Sequence, residues 1–457
     1  MQQELIPLTD FIKAYKDCRK HKRRTDSQIE FEINLESNLI KLCDEVNNGT
    51  YEIGKSICFC VTKPKLREVF AASFRDRIVH HIIMQRLEPL FENVFIADNY
   101  NCRKGKGVLY GVKRLNEKMA LAHRRYGKKL WIGKFDFKSF FMTINKAILL
   151  DRLLKFIDER YEGVDKTILK RLVSQNILHR PELNCEIHGD RKLFDLLPEG
   201  KSLFKCKPGL GLPIGNLTSQ MFASFYLYEF DILMRQRFKG FYGRYVDDIY
   251  VLGKKEDIIE AVVWMKDYLY DNLKVILNMN KVYIQPYWHG VKFIGSVVKN
   301  GRTYTSNSTA DNMDKRITLF NNTKNKEDVD KVISSLNSYL GIMQHHKAYA
   351  IKRKMIEKLD KFWWNYMHIS GDYQKLSKTK DYGYSNDKEG ELPQNSQDWN
   401  TPERYPCAVQ NRRHQRRGMS GMSATVYRST RRRPATAGNP QVSQRVHGRT
   451  DPVFPCV

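Results

Sequence analysis

Two adjacent aspartates interrupt an apolar run, "RYVDDIYVL", at Asp247 and Asp248. A carboxylate carried into a protein interior is costly unless it is paired or coordinated. The run therefore reads as two short strands, "GFYGRYVDDIYVLG", with both acids at the tip of a hairpin. Aspartate is also an ordinary turn residue, so the hairpin alone says little about chemistry. A second stretch sets the same constraint: "KLWIGKFDFKSFF" ends an apolar strand on Asp136 and continues into Phe140 and Phe141. With strand and hairpin as neighbours, Asp136 and Asp247 converge at one edge. Asp248 assists from beside them, because successive strand residues face opposite ways. Carboxylate oxygens gathered in this way suit Mg²⁺. Two such ions about 3.5–4 Å apart activate an attacking hydroxyl and stabilise a leaving phosphate, which is the chemistry of nucleotidyl transfer.

The surrounding pattern places these acids in a β-α-β-β-α-β order. Residues 1–50 read as charged helices ending at "NNGT", and "YEIGKSICFCVTKPKLREVF" as strand. Ile78, Ile82, Leu87, Leu90, Phe91 and Val94 recur at helical spacing. Residues 145–180 and 256–272 read as helical, and 181–208 as a loop-rich insertion. "KVILNMNKVYIQP" and "VKFIGSVV" read as strands, and 309–370 as helix-rich. The expected fold is α+β. It divides into a helical extension (1–54), a strand-containing body (55–304), a helical segment (305–372) and an arginine-rich tail (373–457).

With 457 residues the chain can bury a sizeable core, and its net charge of +27 fits a nucleic-acid partner. Residues 401–457 hold eleven arginines, two acids and no lysine, a net +9, which leaves +18 on the first 400 residues. The tail reads either as a disordered RNA-binding segment or as a read-through or frame-shifted end. No stretch of about 18 apolar residues offers a membrane span, and no secretory signal opens the chain. The nine scattered cysteines read as reduced thiols in a cytoplasmic protein. His80–His81 and His345–His346 lack partners at ligand spacing and read as surface or phosphate-facing residues.

"FDFKSFF" (135–141), "GLPIGNLTSQ" (211–220) and "YVDD" (245–248) resemble, in this order, the catalytic motifs of reverse transcriptases. "KPKLREVFAASFRDRIVHH" and "NYNCRKGKG" resemble the fingers motifs. "LNMNKVYI" and "KFIGSVV" resemble the later palm segments, and "SSLNSYLGIMQHHKAYAIKRKMI" the helical thumb. The resemblance implies a right-hand polymerase with fingers, a ferredoxin-like palm and a helical thumb. It implies that Asp136, Asp247 and Asp248 hold two Mg²⁺ ions, with Mn²⁺ as a substitute. Lys281 would protonate the leaving pyrophosphate. Lys65, Arg67 and Arg75, with Arg77 in reserve, would hold triphosphate or template. Arg103, Lys104 and Lys106 would meet the template backbone, and Phe293, Ile294 and Gly295 would position the primer end. Phe141 would exclude a ribose 2′-hydroxyl, unless Phe141 is core and Phe140 the exposed ring. Template RNA, the RNA/cDNA hybrid and dNTPs are the implied partners.

The glycine-rich loop reads Pro213-Ile214-Gly215 and ends Ser219-Gln220, where many such enzymes have Pro-Gln-Gly and Ser-Pro. That pattern is similar to the reverse transcriptases of diversity-generating retroelements. Those enzymes copy RNA with frequent errors opposite adenine and work with a small basic accessory protein. A glutamine in the loop can hydrogen-bond the nascent pair, and Ile214 cannot; alternatively Ile214 only packs against the palm. An antiphage-defence reverse transcriptase and a catalytically inactive RNA-binding protein are other readings of the sequence; a group II intron enzyme fits less well, because no Cys-pair endonuclease module is present and residues 373–457 look unsuited to a packed maturase domain.

Overall fold

The computed structural model describes residues 5–20, 25–62, 65–299 and 301–379; the arginine-rich tail beyond them lies outside the described residues. Three helices, α1 (Leu8–Arg19), α2 (Asp26–Ile33) and α3 (Leu35–Asn48), open the chain. Helix α3 stops at Gly49 (φ 82°), the left-handed cap that "NNGT" announces. Their apolar sides, including Phe11, Leu39, Leu42 and Val46, pack with α4 (Phe74–Val94). Ser73 caps α4 by accepting the Asp76 backbone N–H. Ahead of it, β1 (Ser56–Val61) and β2 (Arg67–Ala71) form the antiparallel fingers hairpin.

After α5 (Val108–Tyr126) comes β3 (Trp131–Phe135), then the single turn α6 (Phe140–Thr143), α7 (Lys146–Arg160) and α8 (Lys166–Leu178). The insertion contains β4 (Cys185–His188), which pairs parallel with β1, and the turn α9 (Lys192–Asp195). Helices α10 (Leu217–Tyr226) and α11 (Tyr228–Arg237) lead to β5 (Phe241–Tyr245) and β6 (Asp248–Gly253), then α12 (Lys255–Leu273) and β7 (Tyr283–Pro286). The palm sheet has the order β5-β6-β3-β7, antiparallel throughout. This is the ferredoxin-like arrangement expected of the palm.

Alternation along β3 buries both faces of that sheet. Phe135 joins the main core with Phe222, Phe225, Ile249, Val251 and Met265. Ile132 points the other way, into a second core with Leu115, Met119, Tyr250, Leu252 and Phe293. Gly133 lets α12 approach closely, since a β-carbon there would lie 2.9 Å from Val251 Cγ2 and 3.0 Å from Ile258 Cγ2. Strands β8 (Val291–Phe293), β9 (Ser296–Lys299) and β10 (Arg302–Thr305) form a small meander behind the palm.

The thumb comprises α13 (Asn307–Thr323), α14 (Val329–Met343), α15 (Tyr349–Ile356) and the turn α16 (Lys361–Trp364), around Met313, Ile317, Leu336 and Trp363. It ends in a hairpin of β11 (Met367–Ile369) and β12 (Leu376–Lys378), where Asn337 bonds both backbone groups of Leu376. This hairpin lies within the described residues, which run through Thr379. Two expectations change. "KVILN" is not a strand: it adds only a Phe137–Leu277 bridge, with Lys138 N–H donating to Ile276 O and Asn278 N–H to Asp136 O. His80 is buried on α4 rather than facing solvent, and burial pushes its imidazole down to about 3. No disulfide joins the seven cysteines among the described residues, and none of the described helices is long and apolar enough to cross a membrane.

Candidate active site

Strands β5 and β6 meet in a two-residue turn, Val246-Asp247, closed by the Tyr245–Asp248 pair. Val246 takes φ 54°, a left-handed conformation that costs a β-branched residue about 1–3 kcal/mol. What holds it lies directly beneath. Arg244 is fully buried and donates from Nη1 to Val246 O at 2.9 Å. Its Nε donates to Asp231 Oδ1 of α11 at 2.8 Å, and Nη2 and the Tyr242 hydroxyl donate to the same carboxylate. Burial opposes the guanidinium charge, but Asp231 overcomes it and raises the Arg244 pKa. A buried, fully bonded ion pair therefore anchors the strained turn.

The turn carries Asp247 to Asp136, just past the end of β3. Burial, then the charges of Asp136 and Asp248, push the Asp247 carboxyl up to about 6. Lys281, on a short turn after α12, donates to Asp136. That hydrogen bond holds its ammonium above the usual lysine value. Asp248 instead pairs with Lys134 of β3, at 3.1 Å. Each of the outer two acids is thus paired with a lysine, Asp136 with Lys281 and Asp248 with Lys134, while Asp247 lies between their charges. Among the described residues no group of three or more His, Cys, Asp or Glu is gathered as a metal cluster. The donor pair still fits a hard divalent cation, since two carboxylate groups repel each other at one sheet edge and offer only oxygen.

The glycine-rich loop crosses from the palm to the fingers. Leu212 N–H donates to Phe141 O (2.9 Å), and Ile214 O accepts from Phe70 N–H of β2 (2.8 Å). Asn216 Oδ1 accepts from Ala72 N–H at 3.3 Å. Gly215 has φ 120°, and a β-carbon on it would lie 2.7 Å from Val69 Cγ1 and 2.9 Å from Phe70 O. Only glycine fits that crossing. Pro213 is buried, while Ile214 is half-buried against a small cluster containing Phe70, Met142 and Leu203. Phe141 borders the same cluster and is half-buried; Phe140 is 2% exposed and belongs to the core. The two rings therefore lie opposite to the arrangement that would remove Phe141 from the site. Gln220 Oε1 accepts from the Cys102 thiol of the second fingers loop at 2.7 Å.

Lys65 and Arg67 are exposed at the fingers hairpin. Arg75 is turned away from them: it bonds Glu45 of α3, Asp76 and Glu52 O, and lies over the Tyr51 ring. These contacts fasten α3 to α4. Arg77 donates to Ala72 O at 2.9 Å. Arg103 is likewise engaged within the chain. It is buried, grips Glu92 through Nε (2.7 Å) and Nη2 (2.6 Å), and caps Ile96 O and Asn99 O. Lys104 is exposed, and Lys106 donates to Ala97 O. Phe293 lies in the core, edge-on to Tyr250 at 5.1 Å. Ile294 and Gly295 make the β8–β9 turn, with Ile294 against α5 at Gly111.

One residue at this site carried no signal in the sequence. Lys201, in the insertion, is exposed but partly desolvated at its ammonium, which lowers its pKa, and it feels the charges of Asp247, Lys281, Arg67 and Asp136.

Residues 61–298, just over half the chain, match the family described as "Reverse transcriptase (RNA-dependent DNA polymerase)". The chain is 22% identical to protein YkfC of Escherichia coli K12 over 291 residues, 56% of this chain and 69% of YkfC. It is 23% identical over 194 residues to nuclear intron maturase 4, mitochondrial, of Arabidopsis thaliana, covering 42% of this chain and 20% of the maturase. Among solved structures, telomerase from Candida albicans with a fragment of telomeric RNA superposes at a TM-score of 0.39 and 13% identity, over 71% of this chain and 58% of that one. Apo telomerase from Candida tropicalis gives 0.40 and 11%, over 68% and 59%.

Proposed function

This chain belongs to the reverse transcriptase family, and on that premise we propose that it copies a template RNA into cDNA with frequent errors opposite adenine, for targeted diversification of a gene. The observation that carries polymerase chemistry is the Asp136–Asp247 pair, lifted to one palm edge beside Lys281. Asp136 and Asp247 would hold Mg²⁺, or Mn²⁺ in its place, and the bound cations would supply positive charge to the transferring phosphoryl group. Lys281 is positioned to give a proton to the leaving pyrophosphate. Phe141 would fill the space a 2′-hydroxyl needs, which would make dNTPs the substrates. Lys65 and Arg67 supply charge for the triphosphate or template from the fingers.

On an RNA template with an annealed DNA primer, the purified chain extends the primer in Mg²⁺ or Mn²⁺, and EDTA stops it. Failure to extend any primer with either metal overturns the reading.

The error-prone subtype rests on Ile214 and Gln220. Ile214 O is tied to Phe70, so the loop backbone is fixed while the side chain offers the base pair no polar contact. Ile214→Gln is expected to lower misincorporation opposite adenine by about ten-fold, the scale of one hydrogen bond that forms only around a correct pair. Sequencing of cDNA made on a defined RNA checks this, and an unchanged error spectrum removes Ile214 from the fidelity argument. A near-identical DNA repeat pair differing mainly at adenines, beside the coding region, and a small basic accessory protein complete this reading. The arginine-rich residues 401–457 favour an antiphage-defence enzyme as the second one; neighbouring defence genes without such repeats would support it.

A further inference from the structure

The insertion between the first palm strand and the glycine-rich loop is fastened at two places next to the acids. Glu68, beside Arg67 on β2, is 1% exposed; its carboxylate accepts from Ser202 Oγ at 2.8 Å and from the Leu203 backbone N–H. A buried carboxylate with both oxygens engaged by one loop is a firm clamp. The preceding turn, Glu199–Lys201, packs on α6, and a β-carbon on Gly200 would strike the Ser139 hydroxyl. Ser139 is three residues beyond Asp136 and is itself held at φ 54°. Glu68 thus sets Lys201 beside Arg67, and Gly200 sets it over the turn that follows Asp136.

Two other lysines of this edge are engaged, Lys134 by Asp248 and Lys281 by Asp136. Lys201 is exposed, and its ammonium has no hydrogen bond or ion pair among the described residues. Lys201 is therefore within electrostatic reach of two other cations, Arg67 and Lys281, and of both carboxylates, Asp136 and Asp247. Lys201 and Arg67 are held on separate elements by one clamp. Such an array suits a compact polyanion that arrives with its own divalent cations.

We propose that Lys201 binds the triphosphate of the incoming nucleotide together with Arg67, which makes the insertion part of the nucleotide site. The assignment rests on the polymerase reading above. An ammonium contributes to phosphate binding as a mobile point charge, and a charged hydrogen bond of this kind corresponds to about ten- to hundred-fold in affinity.

The test is dTTP incorporation on poly(rA)·oligo(dT). In Lys201→Met, KM for dTTP rises about ten- to hundred-fold, with a smaller fall in kcat. Lys201→Arg restores most of the affinity, and Lys192→Met, which removes a charge elsewhere in the insertion, leaves KM unchanged. On a dideoxy-terminated primer, the dTTP concentration that retains the enzyme rises in parallel, while affinity for poly(rA)·oligo(dT) without dTTP stays constant. An unchanged KM in Lys201→Met, or weakened template binding in place of weakened nucleotide binding, overturns the proposal; the second outcome would make Lys201 an RNA contact. A wild type that incorporates no dTTP defeats the polymerase reading and takes this assignment with it. An active wild type with an indifferent Lys201→Met defeats the assignment alone.

Discussion

Replacing Asp247 with asparagine is expected to reduce primer extension by at least about a thousand-fold while leaving RNA affinity nearly unchanged. Asparagine has almost the same shape and is well tolerated in a tight turn, so the Val246-Asp247 geometry survives the change. The loss is of charge at a point where two carboxylates face one another. Asp136 alone would then carry the cation site, with Lys281 already competing for it. RNA binding draws on a different resource, the broad excess of lysine and arginine over the first 400 residues. It should fall steeply with added salt in wild type and variant alike. Filter binding beside primer extension makes the comparison. Comparable loss of both properties would contradict this division of labour, and residual extension near the wild-type rate would remove Asp247 from the chemistry.

The second large effect lies below the turn. Asp231→Ala is expected to destabilise the protein by about 3–5 kcal/mol, because it strands the fully buried Arg244 guanidinium without its counter-charge. Tyr242 loses its acceptor at the same time. The strained Val246 carbonyl keeps a donor, but one whose own position is no longer fixed. Urea denaturation measures the loss. The double variant Asp231→Leu, Arg244→Met should recover much of the stability, since replacing both charges removes the burial penalty along with the attraction. It should not recover extension in proportion, because the turn would lack its anchor. A single-variant cost below about 1 kcal/mol would mean that the pair does not support the hairpin.

The palm was legible in the sequence because its strands carry acids where an apolar pattern stops, a constraint that few folds satisfy. Asp136 and Asp247 come together as that pattern implies, and Lys281, which only the family resemblance marked, bonds Asp136. Charges away from it were harder to read, because sequence reveals a cation and conceals its partner. Arg75 is held by Glu45, thirty positions earlier, and Arg103 by Glu92 on α4. The Lys134–Asp248 ion pair could have been foreseen, since Lys134 lies two residues before Asp136 on the same face of β3. Helix α5 had a signal that went unused: Val112, Leu115, Met119 and Ala122 are buried at helical spacing. Strand β4, four residues with alternating half-burial, is too short to register as a period. Nothing around Lys201 marks it, because its place is set by Glu68, more than a hundred residues earlier.

The parallel pairing of β1 with β4 also has a consequence for how the chain is made. Parallel strands cannot be joined by a tight turn, and these two are separated by β2, α4, α5, the first palm strand and three further helices, α6, α7 and α8. The fingers sheet therefore cannot close until the ribosome has delivered Cys185–His188, well after β1 and β2 have emerged. Contacts this distant along the chain form slowly. Until they form, one edge of β1 presents unpaired backbone groups of the kind on which other chains aggregate. A product terminated before Cys185 would keep that open edge permanently, so synthesis of this protein is most exposed to failure in the middle of the chain.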